Sequence, residues 1–250
     1  ILSIDILLLG GICMKGIIIR LMFCFAFLMT AGGSYIEAYS YSLTDDFAAE
    51  KSRVSFIMRS VEGTSYNVYI VGDGDKYAGK SAPFVWGSTN DLIYKATAYT
   101  PYISELNDVI ALQQDIKLFG DNSRNEEYIN VTNPTRTGGV YVIKGINGQP
   151  DILVAAIQTT GGGFVDYRFF AIKNGELRQM KLLFSNQNTR LVSMGYVGNG
   201  PHALSDGTIA LPWFKQKMGG AKDFGQFTSV YMPDYNNLIL IWAYTVKGDL

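Results

Sequence analysis

The stretch FVDYRFFAIKNGELRQMKLLF, residues 164–184, decides the fold. Val165, Tyr167, Phe169 and Ala171 alternate with Asp166, Arg168, Phe170 and Ile172. Successive side chains of a strand point to opposite faces, so this segment reads as a strand that is amphipathic at its start and buried on both faces towards its end. Asn174-Gly175 follows, then a second apolar run over Leu177–Phe184. Both central residues of a type I′ turn need positive φ, so Asn-Gly between two such runs marks a tight hairpin.

The same rhythm extends outward. Short apolar alternations between Gly, Asn and Asp predict strands at Arg53–Arg59, Tyr66–Gly72, Phe84–Gly87, Leu92–Ala98, Tyr128–Thr132, Gly139–Lys144 and Ile152–Gln158. Further strands are predicted at Leu191–Val197, Thr208–Lys215, Thr228–Met232 and Leu238–Val246, with Asp206-Gly207 opening one of them. Ser104–Phe119 is the one segment with partial helical spacing (Leu106, Val109, Ile110, Leu112, Ile116), and Ser104 is placed to cap it. Two strands around Gln113-Gln114 are the alternative. The fold class expected is all-β and antiparallel, with propeller-like repeats or a β-sandwich as architectures, and at most one short helix near 104–116.

The N-terminus predicts export. Met14-Lys15 and Arg20 flank an apolar run that ends in Thr30-Ala31-Gly32-Gly33-Ser34, the basic, apolar and small-residue order of a secretory signal peptide. Residues 1–13 precede the plausible initiator Met14 and read as an over-extended leader, 14–33 as the signal, and 34–250 as one β domain, with two sub-parts meeting near 120–126. The apolar run is shorter than the roughly 20 residues of a bilayer span, and no longer one follows it. Both cysteines, Cys13 and Cys24, fall in or before the signal, so the exported part is cysteine-free and suits a bacterial secreted or periplasmic product. The chain has 21 basic and 22 acidic residues; removing Lys15, Arg20 and Asp5 leaves 19 and 21. That balance gives no basic field for nucleic acid.

Gly145-Ile146-Asn147-Gly148-Gln149-Pro150-Asp151-Ile152-Leu153-Val154-Ala155 resembles the repeat core of FG-GAP/VCBS β-propellers, and the likeness runs over about residues 138–184. It implies blade-like strands and a calcium loop. The acidic ligands of that loop would fall at Ile143, Gly145 and Asn147, and only Asn147 and Asp151 offer oxygen. Calcium takes six to eight oxygens, so no metal is expected there.

Other candidate sites are few. His202, the single histidine and a candidate ligand-binding residue, sits in the glycine-rich loop Gly198-Asn199-Gly200-Pro201-His202 without a nucleophile signature beside it. Asp73-Gly74-Asp75 places two carboxylates in a glycine turn, a weak calcium candidate and otherwise a hairpin. Trp86 and Trp213 are the candidate ligand-binding aromatics, with Trp213 expected to be the more exposed and Trp242 to be core. Asn130-Val131-Thr132 fits the N-glycosylation pattern, which carries no meaning in a bacterial host. The function expected is an exported binding module that recognises a glycan, envelope component or envelope protein through loops on one rim. The alternatives are a hydrolase using two of Asp73, Asp75, Asp91, Asp151 and Asp166, and a structural piece of an envelope assembly. No cofactor is expected, calcium being the weak exception.

Overall fold

The computed structural model describes residues 42–79, 91–119, 126–135, 138–158, 164–191, 193–196, 200–215 and 225–250. The leader, the signal, the strand expected at Phe84–Gly87 with Trp86, and the glycines at 161–163, 198 and 219–220 lie outside the described residues. In chain order the elements are β1 (Ser42–Thr44), α1 (Asp45–Lys51), β2 (Ser52–Arg59), β3 (Ser65–Gly72), β4 (Lys76–Gly79), β5 (Ile93–Ala96), β6 (Tyr99–Glu105), β7 (Ile110–Gln113), β8 (Glu127–Asn130), β9 (Gly139–Ile143), β10 (Ile152–Gln158), β11 (Phe164–Lys173), β12 (Glu176–Gln179), β13 (Lys181–Leu183), β14 (Thr189–Arg190), β15 (Ser193–Tyr196), β16 (His202–Ala203), β17 (Ile209–Lys215), β18 (Gly225–Asp234) and β19 (Ile239–Lys247). The fold is all-β, as the alternation predicts.

These strands form four sheets. Sheet A has the order β1-β7-β6-β3-β2, and sheet B is the small β4-β5-β8. Sheet C is the meander β12-β11-β10-β9 with β15 added on β11, and sheet D runs β14-β13-β19-β18-β17-β16.

Sheet C is the shared wall. Leu153, Ala155, Phe170 and Ile172 enter one core with Met58, Val68, Ile70 and Ile103 of sheet A and Ala96 and Ile129 of sheet B. Their neighbours Ile152, Val154, Ala156, Tyr167, Phe169 and Ala171 enter a second core with Leu182, Ile209, Leu211, Tyr231 and Leu240 of sheet D. The burial along β11 follows the alternation: Asp166 and Arg168 are half-buried, while Phe169 to Ile172 are fully buried. Burying each phenylalanine contributes about 1.5–3 kcal/mol, so the segment read first supplies much of both cores.

Asn174 and Gly175 both have positive φ (53° and 74°), and the β11–β12 hairpin closes as predicted. The run expected at Leu177–Phe184 is instead divided. β12 stays in sheet C, the Met180 N–H donates to the Phe169 carbonyl at 2.7 Å, and β13 crosses to pair parallel with β19. The β13–β19 ladder is the parallel one among the described residues.

Ser104–Phe119 is not helical, which corrects the helix expected near 104–116. β6 and β7 pair antiparallel across a turn at Leu106–Val109, where Asn107 takes φ 74° and the Asp108 N–H donates to the Glu105 carbonyl. The strand alternative holds, with its turn earlier than Gln113-Gln114. Leu106, Val109, Ile110 and Leu112 are exposed, Val109 at 72 %, and of the five apolar residues whose spacing suggested a helix Ile116 alone packs against the first core. The described helix is α1. Thr44 caps it by accepting from the Phe47 N–H, Asp45 and Asp46 occupy its first turn and Lys51 its last, and it buries Ala48.

Candidate functional site

Hairpin turns from three sheets meet and lock together at one rim. The β2–β3 turn reaches sheet C through the Val61 N–H on the Ile172 carbonyl, and the Asn174 N–H donates to Glu62 Oε1 at 3.1 Å. The β11–β12 turn reaches sheet D where Lys173 donates its ammonium to the Asn236 carbonyl. The β9–β10 turn touches the β16–β17 turn, because a Cβ on Gly207 would collide with the Gln149 amide. The Arg59 guanidinium lies over Gly63 and Gly148 of two different turns.

Asp151 is the centre of this lock. The residue is 5 % exposed, and its carboxylate accepts from the Gly145 N–H (2.8 Å), the Arg59 N–H (2.9 Å) and the Lys144 ammonium (2.8 Å). Its own N–H donates to the Arg59 carbonyl, and Lys144 also donates to the Ile57 carbonyl. These contacts cover the outer edge of β2, which would otherwise present unpaired backbone groups. Within the loop the Gln149 N–H donates to the Ile146 carbonyl across Asn147 (φ 54°) and Gly148 (φ 82°), a type I′ turn. Gly145 is obligatory, since a Cβ there would meet the Gln149 carbonyl.

The resembling loop thus forms one wall of a solvent-open cleft of about 410 Å³, lined by Val61, Pro150, Pro233, Asp234, Tyr235 and Asn236. The β18–β19 turn is held by Asp234, which accepts from both the N–H and the side-chain amide of Asn237 (3.1 and 2.7 Å). Those two bonds, with Lys173 nearby, hold the Asp234 carboxyl below its usual range. Burial, helped by the charge of Asp151, pushes the Tyr235 phenol up to about 12, so it stays protonated.

The sequence-predicted residues are placed elsewhere. Asp75 accepts from Arg53 Nε (2.6 Å) in an ion pair and from the Tyr99 hydroxyl (2.8 Å), and Arg53 stacks on Tyr94 at 3.7 Å. Asp73 pairs through its backbone with Thr97 and Ala98. His202 opens β16, half-buried, with Nδ1 donating to the Gly200 carbonyl at 3.0 Å.

Trp213 is half-buried, stacks on Phe227 at 5.0 Å and donates to Ser229 Oγ. Ser229 bonds Thr245, and Trp242 donates to Thr245 Oγ1, so two hydroxyls join the two indoles. Trp242 is half-buried rather than fully core. Trp213 and Phe227 lie at the end of the β17–β18 ladder opposite the rim, so the structure does not bring Trp213 to the cleft.

Of the other carboxylates, Asp91 is buried against the side-chain amides of Asn130 and Asn133. Asn130 of the glycosylation pattern is therefore fully buried. Burial raises the Asp166 carboxyl, Arg168 opposing it, and burial likewise raises Glu127 against the hydrogen bond from the Tyr99 N–H. Among the described residues no group of three His, Cys, Asp or Glu could hold a metal, and no helix is long and apolar enough to cross a membrane.

Sequence reading missed Tyr235, Asp234 and Asn236. The only signal for them was the turn composition Pro233-Asp234-Tyr235-Asn236-Asn237 between two strands. No family model matches the chain, and neither a curated protein nor a solved structure matches it significantly.

Proposed function

We propose that the chain is an exported, non-enzymatic binding module that engages a glycan, envelope component or envelope protein through the hairpin rim. The observation that carries this reading is the interlocking of turns from sheets A, C and D around one open cleft. Recognition sits on loops that a rigid scaffold positions, and a surface ordered before binding loses less entropy on binding. The meanders β9–β12 and β16–β19, packed face to face, support a blade-like arrangement as the finer reading of the architecture.

The test is binding of the purified chain to a glycan array and to immobilised bacterial envelope polymers. The comparison is a rim-blocked variant carrying Ser205→Arg and Asn236→Arg, both at exposed turn positions. At least a tenfold loss in the rim-blocked variant, with an unchanged circular dichroism spectrum, is the expected result. Binding that survives rim blocking but disappears in Trp213→Ala would move recognition to the opposite end of sheet D and overturn the assignment.

A further inference from the structure

We infer that the cleft between the β9–β10 and β18–β19 turns takes a neutral saccharide, stacked on Tyr235 and hydrogen-bonded by Asp234 and Asn236. This rests on the binding-module reading and deepens it. A sugar ring presents an apolar C–H face and an equatorial belt of hydroxyls, each both donor and acceptor. Its site needs a flat aromatic or apolar wall and, beside it, a group that accepts and a group that does both.

The cleft supplies that combination. Tyr235 and the rings of Pro150 and Pro233 give flat apolar walls, with Val61 beside them. The Asp234 carboxylate accepts, and the exposed Asn236 amide both donates and accepts. The geometry is fixed before binding: Asn237 clamps Asp234, Leu238 takes φ 54°, and Lys173 pins the Asn236 carbonyl. Asn236 therefore stands exposed on a closed turn, while the Tyr235 ring packs against the second core and keeps part of its surface on the cleft.

Charge selects against the alternatives. The residues lining the cleft include a carboxylate and no cation. The adjacent ammonium of Lys173 donates to the Asn236 carbonyl and acts on Asp234, and that of Lys144 is paired with Asp151. A phosphate, a sulfated glycan or an acidic peptide would meet the Asp234 carboxylate inside the cleft with these nearby cations already drawn to protein carboxylates. The volume, about 410 Å³, falls in the range of small-ligand sites and suits the end or a short run of a chain.

Isothermal titration of the intact purified chain with cellohexaose, xylohexaose, chitohexaose and maltohexaose, with heparin as the anionic comparison, tests this. The expected result is binding of at least one neutral hexasaccharide, weakened at least tenfold by Tyr235→Ala, less than threefold by Tyr235→Phe, and unchanged by Trp213→Ala. Neutral-sugar binding that Tyr235→Ala leaves intact, or a preference for heparin, would overturn the cleft assignment. Silence towards all four neutral sugars would also overturn it. In that case the rim reading would stand if rim blocking still abolished binding to an envelope polymer, and would fall with it if nothing bound.

Discussion

Asp151 shows how much one buried carboxylate can tie together. It accepts from two backbone N–H groups, those of Arg59 and Gly145, and from the Lys144 ammonium. Asp151→Ala would leave the Gly145 and Arg59 N–H groups without their acceptor. We expect a loss on the order of 2–4 kcal/mol in urea unfolding, since each buried unsatisfied group costs about 1–3 kcal/mol. Asp151→Asn should recover part of it, because its carbonyl still accepts. The sequence identified Asp151 as an oxygen donor but not its partners: Arg59 is 92 positions away, and nothing local signals such a bond. Tyr235 went unread for a related reason. A tyrosine in a polar turn looks like any other until Pro150 and Val61 are placed opposite it.

At the scale of elements, alternation carried most of the information. β10 and β11 were legible residue by residue, because burial on both faces demands continuous apolar runs. Ser104–Phe119 was ambiguous because Leu106, Val109, Ile110 and Leu112 mimic a helical face while standing in an exposed turn and strand. What decides the segment is Asn107, whose φ of 74° suits Asn or Gly and strains other residues. Asn107→Gly should leave stability within about 0.5 kcal/mol, while Asn107→Val should cost about 1–2 kcal/mol. A helix through this segment would reverse the order, with glycine the worse substitution; thermal melts of the two variants distinguish the cases. Helix α1 escaped notice because two turns carry no apolar stripe, and only Ala48 is buried. The change of sheet at Met180 was equally hidden, since β12 and β13 read as one apolar run.

At the scale of the molecule, two cores share sheet C, and tyrosines are buried in or beside both. Tyr231 is raised to about 12 by burial, and Tyr235 to about 12 by burial and Asp151. A phenol whose folded pKa exceeds its unfolded value near 10 contributes stability that is complete below about pH 10 and is lost as pH rises towards 12. Unfolding should therefore become progressively easier between those values. The last part of the tyrosinate absorbance, that of the buried tyrosines, should appear in concert with the loss of circular dichroism there; full ionisation of the tyrosines with the fold intact would contradict it.

Ser42–Leu250 form one compact unit, and sheet C contributes side chains to both of its large cores, so we expect the unit to unfold as one cooperative body. Denaturant unfolding of Ile70→Ala (first core) and Leu211→Ala (second core), in a Trp86→Phe background, tests it most directly. Fluorescence then reports Trp213 and Trp242 of sheet D, and far-ultraviolet circular dichroism reports the whole. Each variant should lose about 2–5 kcal/mol, and in each the two signals should shift together in a single transition. An Ile70→Ala variant whose circular dichroism shifts while its tryptophan transition stays at the wild-type midpoint would show two independent bodies and contradict the account.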